Sequence, residues 1–440
     1  MRQTLLYIPE KFLGLPLFGW GLGLGTLVAV VLIVHSYLYI RQRKVGDVVG
    51  SLALLGIGGG MLVFILPNLT EPGRGVPIRG YGVFLLLAII AALGLLLRLA
   101  KRQGIAHEKV YSLAFWSVIS GIIGARLFYV TEYWQEMFRF DQAGQILPRE
   151  SLSSVLNFAQ GGLVVLGSVL GGALGAFIFL RRNKMSVPRT FDIMAPALAL
   201  GMSIGRIGCL LNGCCFGCAA DATWGIVFPP GSPAHVHQIA HGNVFIYGLK
   251  FKEVIIGNQT AVVIADMLPG CEADVRGLKP TMRLRGILVE YEGQPILWEP
   301  QSLRAVAMEL AHMQMTMPNA RVRFDFFTDS SYTVAAPFRL APTPSKVLPV
   351  YPTQIYSSLL ALLLCGILLC LGRLQFYQQR EGLVFACFMI FYSVGRFFIE
   401  MIRTDEDSFF GTGMTVSQNA SILVFLAGIA LAMYVCRSKT

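Results

Sequence analysis

The sequence predicts an all-α polytopic membrane protein of about nine transmembrane helices, with a small outward-facing α+β insert. Three observations predict it. Of 440 residues, 55% are hydrophobic and only 14% charged, and the mean hydropathy is +0.62. Soluble domains carry about 25% charged residues, so the polar surface of a soluble fold is missing, and disorder is excluded by the same balance. Apolar runs of roughly 20 residues, the length that crosses a hydrocarbon layer of about 30 Å, recur along the chain. The basic residues behind the net charge of +11 flank those runs as membrane anchors do. They form no clustered soluble face, so no nucleic-acid partner is expected.

Taken in order, the predicted spans are 17–40, 48–67, 79–100, 110–131, 160–180, 190–211, 351–372, 383–402 and 418–436. The first is too long for a cleavable signal peptide, lacks a small-residue cleavage site and runs into Arg41, Arg43 and Lys44. Glycines at 56–60 and 167–175 read as sites of close helix approach rather than phosphate loops. The segments PLFGWG (16–21) and PIRGYG (77–82) each open an apolar run that ends in basic residues. They suggest a duplicated helix pair; chance similarity is the alternative. The loops after the odd-numbered spans up to the seventh, with the tail, hold 15 Lys and Arg, against 5 in the three short loops opposite. The positive-inside rule then places the N-terminus and the insert at 213–350 outside and the C-terminus in the cytoplasm.

That insert is polar, with strand-like alternation at Ala261–Ile264 and Arg321–Phe327 and a helix-period stretch over Ser302–Met315. It closes with a Pro-rich tether, Pro337, Pro342, Pro344 and Pro349. Within it, residues 262–296 resemble the central segment of a PDZ domain, with a Pro-Gly turn, a short helix and a Gly-Leu-Lys-Pro turn. The usual Gly-Asp is replaced by Thr281 and Met282. A generic α+β insert is the alternative.

Charged groups inside a span cost at least about 2.5–3.5 kcal/mol, so those that persist mark function. At 1.5 Å per residue, Arg126 and Arg206 lie roughly 24 Å from the inner face and Arg396 roughly 20 Å. Tyr81, Gln354 and Tyr356 begin inward-running spans, and Asn212 ends an outward-running one, so separate segments bring polar groups to the same outer third. Each arginine has an alternative as an anchor that snorkels to headgroups. Gly205 and Gly208 beside Arg206 imply tight backbone packing there. Tyr392 and Glu400 share a helix face with Arg396. Two buried guanidiniums at one depth suit an anion with several oxygens, and the anion nearest that depth is a lipid headgroup.

The segments GRIGCLLNGCCFG (205–217), YPTQIY (351–356) and YSVGRFFIEMIRTDE (392–406) now carry a resemblance to the prolipoprotein diacylglyceryl transferase family. VPIRGYG (76–82), GIIGARLFYV (121–130) and QGGLVVLGSVLGG (160–172) extend it, in the family's order. The resemblance implies a membrane core at 76–217 and 351–440, with an extra helix pair at 1–75 and the insert at 218–350. It implies transfer of diacylglyceryl from phosphatidylglycerol to the lipobox cysteine of prolipoprotein signal peptides, at the outer leaflet of a bacterial cytoplasmic (inner) membrane. Glycerol phosphate leaves, and no cofactor or metal is implied. Arg206 and Arg396 match the family's essential arginines and Tyr81 its headgroup-side tyrosine. Tyr392 and Glu400 match residues that orient the second arginine, Asn212 and Gly217 signature positions, and Arg403 a further arginine. Arg126, Gln354 and Tyr356 join the substrate-binding set. The chain departs from the family where Leu166 and Tyr351 replace histidines, Cys209 an asparagine and Cys214 a glutamate. Either the few per cent of thiolate present at neutral pH suffices, or Tyr81, Glu400 or an insert histidine takes the proton.

Of nine cysteines, Cys209, Cys214, Cys215 and Cys218 fall within ten residues, and His235, His237 and His241 follow. Thiolate and imidazole suit zinc or copper, but C-x4-C-C-x2-C is no familiar zinc spacing, so packing or a local disulfide is preferred to a metal. Cys365, Cys370, Cys387 and Cys436 read as small buried hydrophobes. Two other function classes stay open: a thiol-redox or metal-handling membrane protein, and a peptide-binding membrane scaffold. The first predicts loss of function on replacing the cysteines, the second on deleting 240–340, and neither on Arg206→Ala.

Overall fold

The computed structural model describes residues 4–12, 14–18, 21–30, 59–60, 63, 66–70, 75–138, 151, 155, 164–221, 223–246, 248–256, 259–270, 274, 278–291, 294–300, 302–316, 321–327, 333–334, 338–339, 347–403 and 413–437. Among these, seven helices have the length and hydropathy to cross a membrane. They are α1 (Gly80–Arg102), α2 (His107–Glu132), α3 (Val165–Arg182), α4 (Val187–Asn212), α7 (Thr353–Leu371), α8 (Leu383–Glu400) and α9 (Val416–Arg437). Two shorter helices, α5 (Pro233–Ala240) and α6 (Leu303–Thr316), lie in the insert. The expected spans at 17–40 and 48–67 fall largely outside the described residues, as do 160–163. The chain clusters into two compact units, Met1–Leu85 with Ile207–Gln354, and Leu86–Arg206 with Ile355–Thr440.

In the second unit the helices are apolar on most faces. The most hydropathic window of α1 is only 17% buried, and Leu127, Val165 and Leu423 stand largely exposed. A helix apolar all round and unburied by protein faces lipid. Where helices do meet, small residues set the distance. A Cβ on Gly167 would collide with the Gly124 carbonyl, and one on Gly171 with the Ser120 carbonyl, so α2 and α3 meet backbone to backbone. Ala195 and Ala199 of α4 pack on Leu364, Cys365 and Leu368 of α7 and Val384 of α8. Beside this packing Asp192 accepts from Gly382 N (2.6 Å) and Phe385 N (2.8 Å), so a side chain of α4 caps the start of α8. Cys365 is buried as expected, but Cys370 and Cys436 are exposed, on the unburied faces of their helices.

In the first unit, β1 (Thr4–Ile8) pairs antiparallel with β4 (Val76–Arg79), which runs straight into α1 at Gly80. This strand is an element the sequence reading did not contain. The other PxxGxG copy is comparable: β3 (Leu15–Pro16) precedes a helical stretch at 22–30. The insert is an antiparallel sheet built on β5 (Leu249–Ile256), β6 (Gln259–Met267), β7 (Arg283–Tyr291) and β9 (Arg321–Phe327), ordered β9-β7-β6-β5. Its core joins Phe251, Ile264, Ile287, Phe324 and Phe326 from the sheet to Leu303, Val306 and Leu310 of α6. Ser302 receives Ala305 N at 3.1 Å, capping α6. The expected strand at 321–327 appears with the same limits, and the one at 261–264 lengthens at both ends. Most of the PDZ-like short helix, 271–277, and most of the tether lie outside the described residues. The segments leaving and re-entering the insert are zipped together: Gly217 N donates to Tyr351 O, Ala220 N to Pro349 O, and Ile226 and Val350 exchange a pair of bonds.

Candidate functional site

The second unit holds a group of charges inside its helices. Glu400, at the end of α8, is 2% exposed, and its Oε2 lies 2.9 Å from Arg396 and 3.1 Å from Arg403. The spacing explains the arrangement: four residues back and three forward are the two neighbours a helix face offers. Arg396 Nη2 also donates to Ser417 Oγ at 2.9 Å, in the first turn of α9. Arg206 of α4, Arg403 and Tyr392 are all close enough to act on the Arg396 charge. Two guanidiniums share one carboxylate, and Arg206 brings a third close to Arg396. At low local dielectric a gathering of guanidiniums is a strong attractor for a multiply charged anion. Tyr392 stacks on Phe388, with ring centroids 5.8 Å apart.

The glycines beside Arg206 divide. A Cβ on Gly208 would meet the Tyr81 backbone at 3.3 Å, as tight packing requires, and this places the first turn of α1 against α4. At Gly205 the expectation fails: among the described residues no atom lies within 4 Å of such a Cβ. Among the described residues no neighbouring helix covers that face beside Arg206. Arg126 belongs to α2. It is buried, its Nε donates to Val155 O at 2.8 Å, and its guanidinium lies 5.3 Å from the Tyr129 ring centroid. Tyr81 is 42% exposed, and Tyr356 is half-buried on α7.

The first unit gathers a second set around the end of α4. Gly213 (φ +76°) and Cys215 (φ +58°) turn the chain back on the helix, so that Cys214 N reaches Cys209 O at 3.2 Å. The start of α7 clamps this turn: Thr353 Oγ1 donates to Cys215 O (2.6 Å) and Gln354 Nε2 to Cys214 O (2.7 Å). Thr353 and Gln354 are wholly buried. Gly217 is obligatory, since a Cβ there would meet Tyr351 and Thr353 at 2.8 and 2.9 Å. Asn212 bonds the Cys214 side chain. Thus Asn212, Gly217 and Gln354 are scaffold to the turn. The Sγ atoms of Cys209, Cys214 and Cys215 all lie within 4.8 Å of one another, and no disulfide joins any of the described cysteines.

Sequence reasoning missed Ser417 and Thr353. Thr353 stood inside YPTQIY and was passed over; Ser417 carries no signal beyond its place at a helix start. Among the histidines, His235 is buried, and its Nδ1 accepts from Gly231 N at 3.0 Å. Burial pushes its pKa down to about 4, so the ring is neutral at physiological pH.

Comparison with known proteins is consistent along the whole chain. The family model described as prolipoprotein diacylglyceryl transferase matches residues 67–434. A phosphatidylglycerol–prolipoprotein diacylglyceryl transferase of Rhodopirellula baltica is 32% identical over 463 residues, spanning 98% of this chain and 88% of that protein. A second enzyme of that name, from Clostridium perfringens, is 25% identical over 357 residues, 81% of this chain and 91% of its own. One from Acaryochloris marina is 37% identical over 167 residues, covering 37% of this chain and 57% of its own.

Proposed function

The chain belongs to the prolipoprotein diacylglyceryl transferase family, and from that premise we infer how its residues carry out the transfer. The reaction takes phosphatidylglycerol and a prolipoprotein in the membrane. The lipobox thiolate attacks the glycerol carbon that bears the phosphoester. A C–S bond forms, the C–O bond breaks, and glycerol phosphate leaves with one more negative charge than the phosphate carried in the lipid. Charge therefore grows on the phosphate oxygens between ground and transition state, and fixed cations aimed there lower the barrier. The observation that carries this reading is the gathering of Arg206, Arg396 and Arg403 in one neighbourhood, with Glu400 bonded to the last two. Arg206 and Arg396 grip the departing phosphate. Glu400, bonded to Arg396 and Arg403, holds the forks in place. Tyr392 supports Arg396, and the face at Gly205, uncovered among the described residues, leaves room for the lipid. Tyr81, exposed at the start of α1, meets the headgroup side; Arg126 and Tyr356 belong to the substrate-binding set, and Gln354 serves it by clamping the turn at Cys214.

The charge bias of the loops supports an orientation with the arginines toward the outer leaflet, the insert outside and the C-terminus in the cytoplasm of a bacterial inner membrane. The transferase core is carried by 76–217 and 351–440, and the insert at 218–350, PDZ-like over 262–296, modulates delivery of the precursor. Purified protein incubated with labelled phosphatidylglycerol and a lipobox peptide tests the reaction. A thioether-linked diacylglyceryl peptide and free glycerol phosphate are expected in equal amounts. Release of glycerol phosphate without thioether would mean a phospholipase instead.

A further inference from the structure

The three cysteines that close the turn after α4 have no part in the mechanism above, yet among the described residues they are the thiols drawn closest together. Cys209 sits on the last turn of a helix, one turn beyond Arg206. Cys215 holds a left-handed backbone that costs a non-glycine residue roughly 1–2 kcal/mol. Two wholly buried side chains, Thr353 and Gln354, grip the carbonyls of Cys215 and Cys214. The Gln354 Oε1 is itself buried with no hydrogen-bond partner among the described residues. A strained, clamped turn that brings three sulfurs within 4.8 Å needs a reason.

We propose that Cys209, Cys214 and Cys215 form a three-thiolate site for a thiophilic divalent cation of the zinc type, with its open position taking the lipobox thiol. In a tetrahedral site with metal–sulfur bonds of about 2.3 Å, neighbouring sulfurs stand about 3.8 Å apart, so the observed cluster needs to contract by an ångström at most. Among the described residues no fourth Cys, His, Asp or Glu joins the group. Three protein ligands with one position open is the arrangement of reactive rather than structural sites. All three cysteines are half-buried, neither sealed from substrate nor fully in solvent.

This role rests on the transfer reaction assigned above, and it answers a need particular to this chain. Leu166 stands where the family resemblance expects a histidine to take the thiol proton. A thiol bound to a divalent cation is deprotonated outright, so its proton passes to water and no side-chain base is required. Four thiolates around a doubly charged ion leave the site net negative, which keeps the bound sulfur nucleophilic. That sulfur attacks the glycerol carbon, and the C–O bond electrons leave with glycerol phosphate. The thioether formed is a poor ligand and yields its place to solvent.

Full-length protein in detergent, reduced and stripped with chelator, is titrated with Co2+ as the spectroscopic probe. One equivalent is expected to give thiolate-to-cobalt charge-transfer absorption that Zn2+ displaces. The band is expected to vanish in the Cys209→Ser/Cys214→Ser/Cys215→Ser variant, and single Cys214→Ser and Cys215→Ser variants to bind cobalt at least tenfold more weakly. A lipobox peptide should raise the band by about a third, as three thiolates become four, and a peptide with serine for the lipobox cysteine should not. No band, an equal band in the triple variant, or a band indifferent to the peptide overturns the proposal. Cobalt binding as described without thioether product under any metal sinks the assigned reaction but not the site. Product formed by protein that binds no metal sinks the site but not the reaction.

Discussion

Glu400 has two arginines on one oxygen, and its replacement isolates what they do. Glu400→Gln keeps the shape but removes the charge that orders Arg396 and Arg403. The transfer rate should fall at least tenfold, since misplaced forks stabilise the leaving phosphate less; an unchanged kcat would show that the pair needs no orienting carboxylate. His235 supplies a pH signature. Its folded pKa of about 4 lies below the ordinary 6.5, so between those values the unfolded chain binds more protons. Stability is therefore intact above about pH 6.5 and declines toward pH 4, by up to about 3 kcal/mol. Thermal melts at pH 7.5 and 4.5 check this against His235→Asn, which should lose less on acidification. At this scale much was legible. The spacing of Arg396 and Glu400 along one helix gave their contact, because periodicity is local. Ser417 was not, since its partner lies 21 residues away on another helix.

Helix ends and helix contacts carry the next level. Asp192 bonds two amides at the start of α8 from a position 190 residues earlier. Asp192→Ala should cost about 1–3 kcal/mol, read as a lowered Tm in detergent, because it orphans two donors at a helix N-terminus. A Tm equal to wild type would mean that solvent or lipid satisfies them. The glycines of α2 and α3 were legible as packing because small residues in apolar runs have few other uses. Which helices they join was not, since apolar periodicity names a face and not its partner. The β1–β4 pair escaped for a related reason: Val76–Arg79 borders an apolar run and reads as its beginning, although it is extended backbone.

At the scale of the molecule, a transferase core and an inserted sheet share one chain. The ends of the insert are held by the Gly217–Tyr351 and Ile226–Val350 bonds and by Gln238, which bonds both backbone groups of Leu348. Replacing 240–340 with a short linker should therefore preserve transfer to a soluble lipobox peptide, while slowing processing of full prolipoproteins in cells. Loss of peptide transfer with the membrane core still folded would make the insert part of the catalytic machinery. Hydropathy disclosed the seven spans of the described residues because lipid imposes one simple rule on each. The clamp on the cysteine turn was hidden, because it depends on Thr353 and Gln354 returning from beyond the whole insert.

The most direct test of the central claim is the single-turnover rate of thioether formation by Arg206→Ala and Arg396→Ala, with phosphatidylglycerol saturating. If both guanidiniums hold charge that grows only as the phosphate departs, each variant loses about 100-fold or more in rate, and Arg206→Lys recovers part of it. Wild-type rates in either alanine variant, with weakened lipid binding alone, would contradict the account.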